Sequence, residues 1–283
     1  MLETAIKRHG GKSYLAKRIV ALMPPRCKNP NAPATDDPGW LHYVEPFAGS
    51  LAVLFANDPV GISEVVNDLD SELYDFWRCL QEPLAFAEFS RIVQAIPFSQ
   101  DEYRAAVGNG EFVPSRVARA VAFFVRNRQS RQGLETCFAT LTRNRVRRGM
   151  NEQAAAWLSA VDGLPWFHVR LRRVLVLNDD ALKVIQQQDG PRALVYADPP
   201  YVHQTRSGGG GEYKHEMTDA QHQELLSVLA HLRGKFILSG YKSSIYCRAA
   251  MQCGWNCEEI EIDNKASSAK SKEKKIECLW YNY

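Results

Sequence analysis

Nowhere do apolar residues run on for the ~18 positions that a bilayer-crossing helix needs, so no membrane partner is expected. The opening residues Met1-Leu2-Glu3-Thr4 lack the apolar core of a secretion signal, which points to the cytoplasm of a bacterial cell or a phage-infected host. The seven cysteines include no C-x-x-C pair. Cys247, Cys253 and Cys257 are the closest group, and neither their spacing nor a nearby histidine pair suits zinc. Reduced thiols and no metal are therefore expected. Internal repeats are absent. So is a G-x-G-x-x-G fingerprint, and with it a backbone cradle for pyrophosphate.

Lysine is missing from positions 115–173. That stretch holds twelve arginines against three acids (Glu135, Glu152, Asp162), a balance of +9 in 59 residues on a chain whose net charge is only +3. Arginine rather than lysine suits bidentate contact with phosphates and guanine edges. A segregated basic segment on an otherwise acidic chain is the footprint of a nucleic-acid site. With 283 residues, 45% apolar and 24% charged, the chain has the make-up of a globular protein. It has room for one large α/β domain with an insert, or for two domains.

The stretch that organises the rest is 193–201, Ala-Leu-Val-Tyr-Ala-Asp-Pro-Pro-Tyr. A short apolar run bounded by a breaker reads as a buried strand. Pro199 and Pro200 stop it and stiffen the loop, and Asp198, before a proline, is pushed to an extended conformation. The carboxyl ends of strands are where open α/β sheets bind ligands. A carboxylate, a proline carbonyl and the Tyr201 ring within four residues suit the grip of a planar base by its exocyclic amine. That amine is conjugated with its ring and is a poor nucleophile. Two acceptors on its hydrogens, Asp198 and the Pro199 carbonyl, would localise the lone pair while Tyr201 stacks on the ring.

A second constellation lies upstream. A strand at 41–44 runs into Glu45-Pro46-Phe47-Ala48-Gly49-Ser50 and an apolar helix, and a strand at 64–66 leads to Asn67-Asp68. An acid at the tip of the second strand takes ribose hydroxyls in nucleotide-binding units. One glycine and no phosphate cradle point to a cofactor with adenosine and ribose but no phosphate, namely S-adenosylmethionine. Before this, the Gly10-Gly11-Lys12 turn lets backbone approach a ligand. Asp180, after the strand at 174–177, reads as a helix cap whose acid would also reach the cofactor.

Between these motifs the pattern is largely helical, with helices at 71–81, 84–95, 101–107, 114–125, 152–161 and 164–172. Two polar stretches within it, 126–133 and 142–149, carry Arg126, Asn127, Arg128, Arg131, Arg143, Arg145, Arg147 and Arg148, the side-chain types that read base edges and hold phosphates. Near the other end, 265–275 carries five lysines and one acid. Its Lys270 and Lys272 are further candidates for phosphate contact. The run 207–211, Ser-Gly-Gly-Gly-Gly, reads as the hinge of a lid.

These residues together resemble the Dam-type, alpha-group family of adenine-specific DNA methyltransferases. The resemblance rests on 7–12, on Val44-Glu45-Pro46-Phe47 with Gly49, on Asn67-Asp68, and on Asn127-Arg128 with Gly133-Leu134. It continues in Asp198-Pro199-Pro200-Tyr201 and in Lys274-Lys275-Ile276-Glu277, in the family's order. It implies a class I S-adenosylmethionine-dependent methyltransferase, Rossmann-like with a mostly parallel sheet, interrupted by a largely helical DNA-recognition domain. Residues 1–75 and 170–283 would form the catalytic domain and 76–169 the insert. Asp198, Pro199, Pro200 and Tyr201 would be catalytic. Arg8, Gly11, Lys12, Glu45, Phe47, Gly49, Asp68, Asp180 and Asp198 would meet or surround the cofactor. Arg8 stands where the family commonly has an aromatic, and its guanidinium would stack on the adenine ring instead. Leu51 replaces a second glycine, which implies a turn drawn tight against its helix.

The expected activity is methyl transfer to the adenine amine of double-stranded DNA, with the base flipped from the stack. The enzyme would be a monomer or weak dimer, serving restriction-modification or standing alone. The alternatives are the same chemistry on the cytosine amine, an RNA or protein-amide methyltransferase, and a DNA-binding protein with an inactive methylase fold.

Overall fold

A computed structural model describes residues 4–8, 11–108, 115–139, 144–202, 216–263 and 274–283. The expected lid hinge at 207–211 lies outside them. The chain divides into two compact units, one of residues 1–22, 49–58 and 70–178, the other of residues 23–48, 59–69 and 179–283. Among the described residues, no helix is long and apolar enough to cross a membrane.

The first unit is helical: α1 (Ala16–Leu22), α2 (Ala52–Ala56), α3 (Ser71–Gln81), α4 (Pro83–Ala95), α5 (Gln100–Gly108), α6 (Arg116–Gln129) and α7 (Glu152–Leu171). Local chemistry starts them where expected. The Asp70 carboxylate accepts the Glu72 N–H at the head of α3, Pro83 opens α4, and the Ser115 hydroxyl accepts the Ala118 N–H at the head of α6. Leu73, Phe76, Trp77 and Leu80 recur at helical spacing and are buried. They meet an aromatic core in which Phe76 stacks on Phe124 with ring centroids 5.8 Å apart, and Phe124 touches Trp157 at 5.3 Å.

Three features of this unit depart from the pattern read in the sequence. The helices expected at 152–161 and 164–172 are one helix, α7, with Pro165 inside it. An interior proline costs about 3 kcal/mol, but Ala160, Val161, Leu164, Phe167 and Leu171 keep one buried face across it. Helix α6 runs on to Gln129, so Asn127, Arg128 and Gln129 are helical and buried rather than part of a surface loop. A hairpin, β3 (Val146–Arg147) and β4 (Met150–Asn151), went unread because two residues per strand leave no periodicity. Its turn residues Arg148 and Gly149 both have positive φ, 56° and 72°, the left-handed pair that a two-residue hairpin demands. A short strand, β5 (Leu175–Leu177), follows α7.

The second unit carries the sheet. Strands β1 (His42–Glu45), β2 (Ser63–Asn67), β6 (Ala193–Ala197), β7 (Lys235–Tyr241), β8 (Asn256–Asp263) and β9 (Lys274–Tyr281) lie in the order β2-β1-β6-β7-β9-β8. The first four are parallel, and β9 is antiparallel to both β7 and β8. This is the mostly parallel α/β sheet expected. All five residues of β6 are buried, as an unbroken apolar run in a parallel sheet requires. Helices α8 (Ala181–Gln188), α9 (Asp219–Ala230) and α10 (Ser244–Cys253) fall between the strands in sequence. Thr218 and Gln221 form a reciprocal cap on α9.

Candidate active site

Parallel strands deliver their carboxyl ends to one edge, and the chemistry-bearing residues of the second unit collect there. Asp198 follows β6 directly and is half-buried. The hydroxyl of Ser239, buried on the neighbouring β7, donates to Asp198 Oδ1 at 2.7 Å. The Tyr196 hydroxyl stands 3.3 Å from the same Ser239 oxygen. The carboxylate is thus oriented by a charge-assisted hydrogen bond from a rigid strand. Burial and the negative charge of Asp198 push the phenols of Tyr196 and Tyr201 well above their ordinary pKa, so both keep their protons.

Tyr201 is placed differently from the expected stacking platform. It is only 6% exposed, its ring meets Tyr241 edge-on at 4.6 Å, and its hydroxyl donates to Glu277 of β9. Little of its face is left for a base, and its contacts make it an anchor for the 198–201 loop. Pro199 is buried and Pro200 half-buried. Glu277, Ser239 and Tyr241 were missed as site residues. Only Glu277 carried a signal, as the last residue of the 274–277 motif.

At the ends of β1 and β2, Glu45 is buried and accepts a hydrogen bond from Tyr43 at 3.0 Å. Asn67, fully buried, ties the loops together. Its Nδ2 donates to the carbonyls of Pro46 and Asp179, both at 3.0 Å, its Oδ1 accepts the Asp179 N–H, and its carbonyl accepts the Ala48 N–H. Asn67 therefore sets the path of the backbone around Phe47 and next to Asp68, both half-buried. Asp180 is exposed and caps α8 by accepting the Lys183 N–H. An open cleft of about 450 Å³, lined by His42, Gln188, Arg192 and Ala193 among others, lies at the opposite, amino ends of β1 and β6. It is remote from Asp198 by the direction of the strands.

In the first unit, Gly49 has φ +47°, a left-handed conformation that glycine adopts without strain. Leu51 also lies in the left-handed region, φ 56°, with its side chain fully buried. The tight turn expected there is present, and burial of Leu51 offsets a conformation that glycine would adopt without strain. Lys12 is buried. Gly11 closes a turn by donating its N–H to the Arg8 carbonyl at 3.1 Å. Arg8 pairs with Asp70 at 3.6 Å.

The arginine-rich segment is less of a surface than its composition implies. Arg116 and Arg119 pair with Asp75, Arg170 is buried with Nη2 on the Leu54 carbonyl, and Arg126 is held by Glu72, Glu135 and the Ala106 carbonyl. Asn127 and Arg128, expected to read bases, are buried and bonded to main-chain groups of Thr4, Ala5 and Lys7. Burial defeats base readout, because a side chain packed in the interior presents no donors to a groove. Arg131, Arg145, Arg147 and Arg148 are exposed. Arg143, Lys270 and Lys272 lie outside the described residues.

A family model described as D12 class N6 adenine-specific DNA methyltransferase matches residues 9–267. No curated protein matches the chain. Among solved structures, a SAM-dependent methyltransferase from Agrobacterium tumefaciens aligns over 95% of this chain at 12% identity and a TM-score of 0.37, and the chain spans 60% of that protein's length. A protein described as a candidate RNA methyltransferase from Pyrococcus horikoshii aligns over 95% of this chain and 96% of its own, at 9% identity and a TM-score of 0.34. Overlaps this weak establish neither activity nor substrate.

Proposed function

Because the chain belongs to the D12 class of N6 adenine-specific DNA methyltransferases, we propose that it moves a methyl group from S-adenosylmethionine to the exocyclic amine of adenine in double-stranded DNA. The observation that carries this reading is Asp198 at the carboxyl end of β6, aimed by the Ser239 hydroxyl at 2.7 Å and followed by two prolines that fix the loop. The acid-tipped end of β2 at Asp68 suits a nucleoside-bearing cofactor without phosphates. Glu45, Phe47 and Asp68, with Arg8, Gly11, Lys12 and Gly49, are the residues we assign to that cofactor. When bound, it supplies an electrophilic methyl group on a positively charged sulfur.

The rest of the chemistry belongs to the protein's own groups. Asp198 and the Pro199 carbonyl accept the two amine hydrogens and draw the nitrogen lone pair out of conjugation. The proton leaves only after the nitrogen has become cationic, so Asp198 need not be a strong base. Tyr201 and Glu277 hold the loop that carries both acceptors. Positioning of this kind lowers barriers by several kcal/mol. The base reaches the loop by rotation out of the duplex, at a cost of a few kcal/mol. Exposed Arg131, Arg145, Arg147 and Arg148 hold phosphates, which makes binding salt-sensitive. In this reading residues 76–169 recognise DNA and residues 1–75 and 170–283 run the reaction, in a cytoplasmic monomer or weak dimer.

Incubation with unmethylated duplex DNA and labelled cofactor, digestion to nucleosides and separation should place the label in N6-methyl-2′-deoxyadenosine. Label in a cytosine nucleoside, or none, would overturn the reading. Ser239→Ala should lower kcat about ten- to a hundredfold, since a hydrogen bond to a charged group contributes about 1.5–3 kcal/mol. Cofactor and DNA dissociation constants should hold. An unchanged kcat would mean that Ser239 does not orient the carboxylate.

A further inference from the structure

Asn127 and Arg128 match a sequence motif that looks built for DNA, yet the structure spends them on the chain's own backbone. Asn127, fully buried on the last turn of α6, accepts the Lys7 N–H on Oδ1 and donates Nδ2 to the Lys7 carbonyl, both at 2.8 Å. One amide thus meets both main-chain groups of one residue, as a neighbouring strand would. Arg128 donates Nε to the Ala5 carbonyl at 2.6 Å and Nη2 to the Thr4 carbonyl at 2.7 Å. Lys7 Nζ turns back to the Arg128 carbonyl at 3.2 Å. On the far side of the segment stands Gly133, φ +76°, where a Cβ would come 2.6 Å from Lys7 Cβ and 2.8 Å from its carbonyl oxygen.

This clamp holds one buried cation, Arg128, and one half-buried cation, Lys7. Burial pushes the Arg128 guanidinium down to about 10, and burial together with Arg128 pushes Lys7 down to about 8. Ala5 and Ile6 are already fully buried by packing, so anchorage alone does not call for so costly a fixture. What the hydrogen bonds add is direction. The residue after Lys7 is Arg8, which pairs with Asp70, and the Arg8 carbonyl receives the Gly11 N–H at 3.1 Å. Lys12 follows, buried, at the entry to α1.

We propose that Asn127 and Arg128 are positioning residues for cofactor binding, fixing the backbone of 4–7 so that Arg8, Gly11 and Lys12 are presented in register, and that they do not contact DNA. The inference rests on the cofactor assignment made above. The register of a backbone bound at both its N–H and its carbonyl does not slip, whereas apolar packing at Ala5 and Ile6 tolerates sliding.

The test compares Asn127→Ala, Arg128→Lys and Gly133→Ala with the parent enzyme. Gly133→Ala drives a methyl into Lys7 and displaces it while Asn127 and Arg128 are both retained, so it carries the test if Asn127→Ala does not fold. S-adenosylmethionine dissociation is measured by calorimetry, duplex dissociation by fluorescence anisotropy, and kcat at saturating cofactor. Asn127→Ala and Gly133→Ala should weaken cofactor binding tenfold or more, with DNA affinity within twofold and kcat within threefold of the parent. Arg128→Lys, whose single nitrogen cannot reproduce the two-nitrogen fork on two carbonyls, should fall between. Weakened DNA binding with unchanged cofactor affinity would overturn the proposal and return the pair to the DNA interface. Proportionate loss of both affinities with a lowered melting temperature would also overturn it, leaving only a structural role. If the parent enzyme itself does not bind S-adenosylmethionine, the cofactor assignment fails rather than the clamp.

Discussion

Asp198→Ala should reduce methyl transfer below about a hundredth of the parent rate while the protein still binds duplex DNA. One of two acceptors on the amine is removed, and with it the charge that favours the cationic nitrogen. Loss of a single preorganised electrostatic group at a reacting centre costs about a hundred- to a thousandfold in kcat. The fold should tolerate the change. Ser239 loses the acceptor at 2.7 Å, but the Tyr196 hydroxyl at 3.3 Å is at hand to take its place. Single-turnover methylation with saturating cofactor reads the rate, and anisotropy with a labelled duplex reads binding. A residual rate above a hundredth of the parent would remove Asp198 from the proposed role.

The largest effect on stability should come from Phe76→Ala. Phe76 is fully buried, and its ring lies 4.8 Å from Trp77, 6.0 Å from Phe89, 5.4 Å from Phe123 and 5.8 Å from Phe124. Truncation of a buried phenylalanine costs about 3–5 kcal/mol. Four ring partners place this site at the upper end, because each aromatic pair adds about 0.5–1.5 kcal/mol beyond its buried area. Urea unfolding followed by tryptophan fluorescence samples the first unit through Trp77, which packs on the same ring. Phe138→Ala, at a half-buried ring that meets Phe98 and Tyr103, should cost less. A Phe76→Ala loss below about 2 kcal/mol would mean that the aromatic cluster relaxes to fill the gap.

The Ser239 substitution and the clamp substitutions divide the reaction between them. Ser239→Ala acts on kcat with binding held, whereas Asn127→Ala acts on cofactor affinity with kcat held. Their opposite signatures separate a group that aims the carboxylate from groups that present the cofactor segment.

What the sequence determined by itself was the set of local signals and their order. An apolar run stopped by Asp-Pro-Pro fixes a strand end without help from the rest of the chain, because proline excludes every competing backbone path. Helix caps at Asp70, Ser115, Thr218 and Ser243 are likewise local, since each cap is a contact within a few residues. The parallel sheet followed from strands alternating with helices. Only the tertiary structure decided which polar residues face solvent. Arg126, Asn127, Arg128 and Arg170 have the composition of a DNA surface, but their partners lie between 8 and 124 positions away in sequence. Tyr201 turned from a stacking face into an anchor because Glu277, 76 residues on, takes its hydroxyl. Asp180, in contrast, was settled by a partner three residues away, as the cap that its sequence suggested. A hydrogen bond between neighbours is written into the order of residues, whereas one between distant segments exists only after the packing of apolar faces has brought them together.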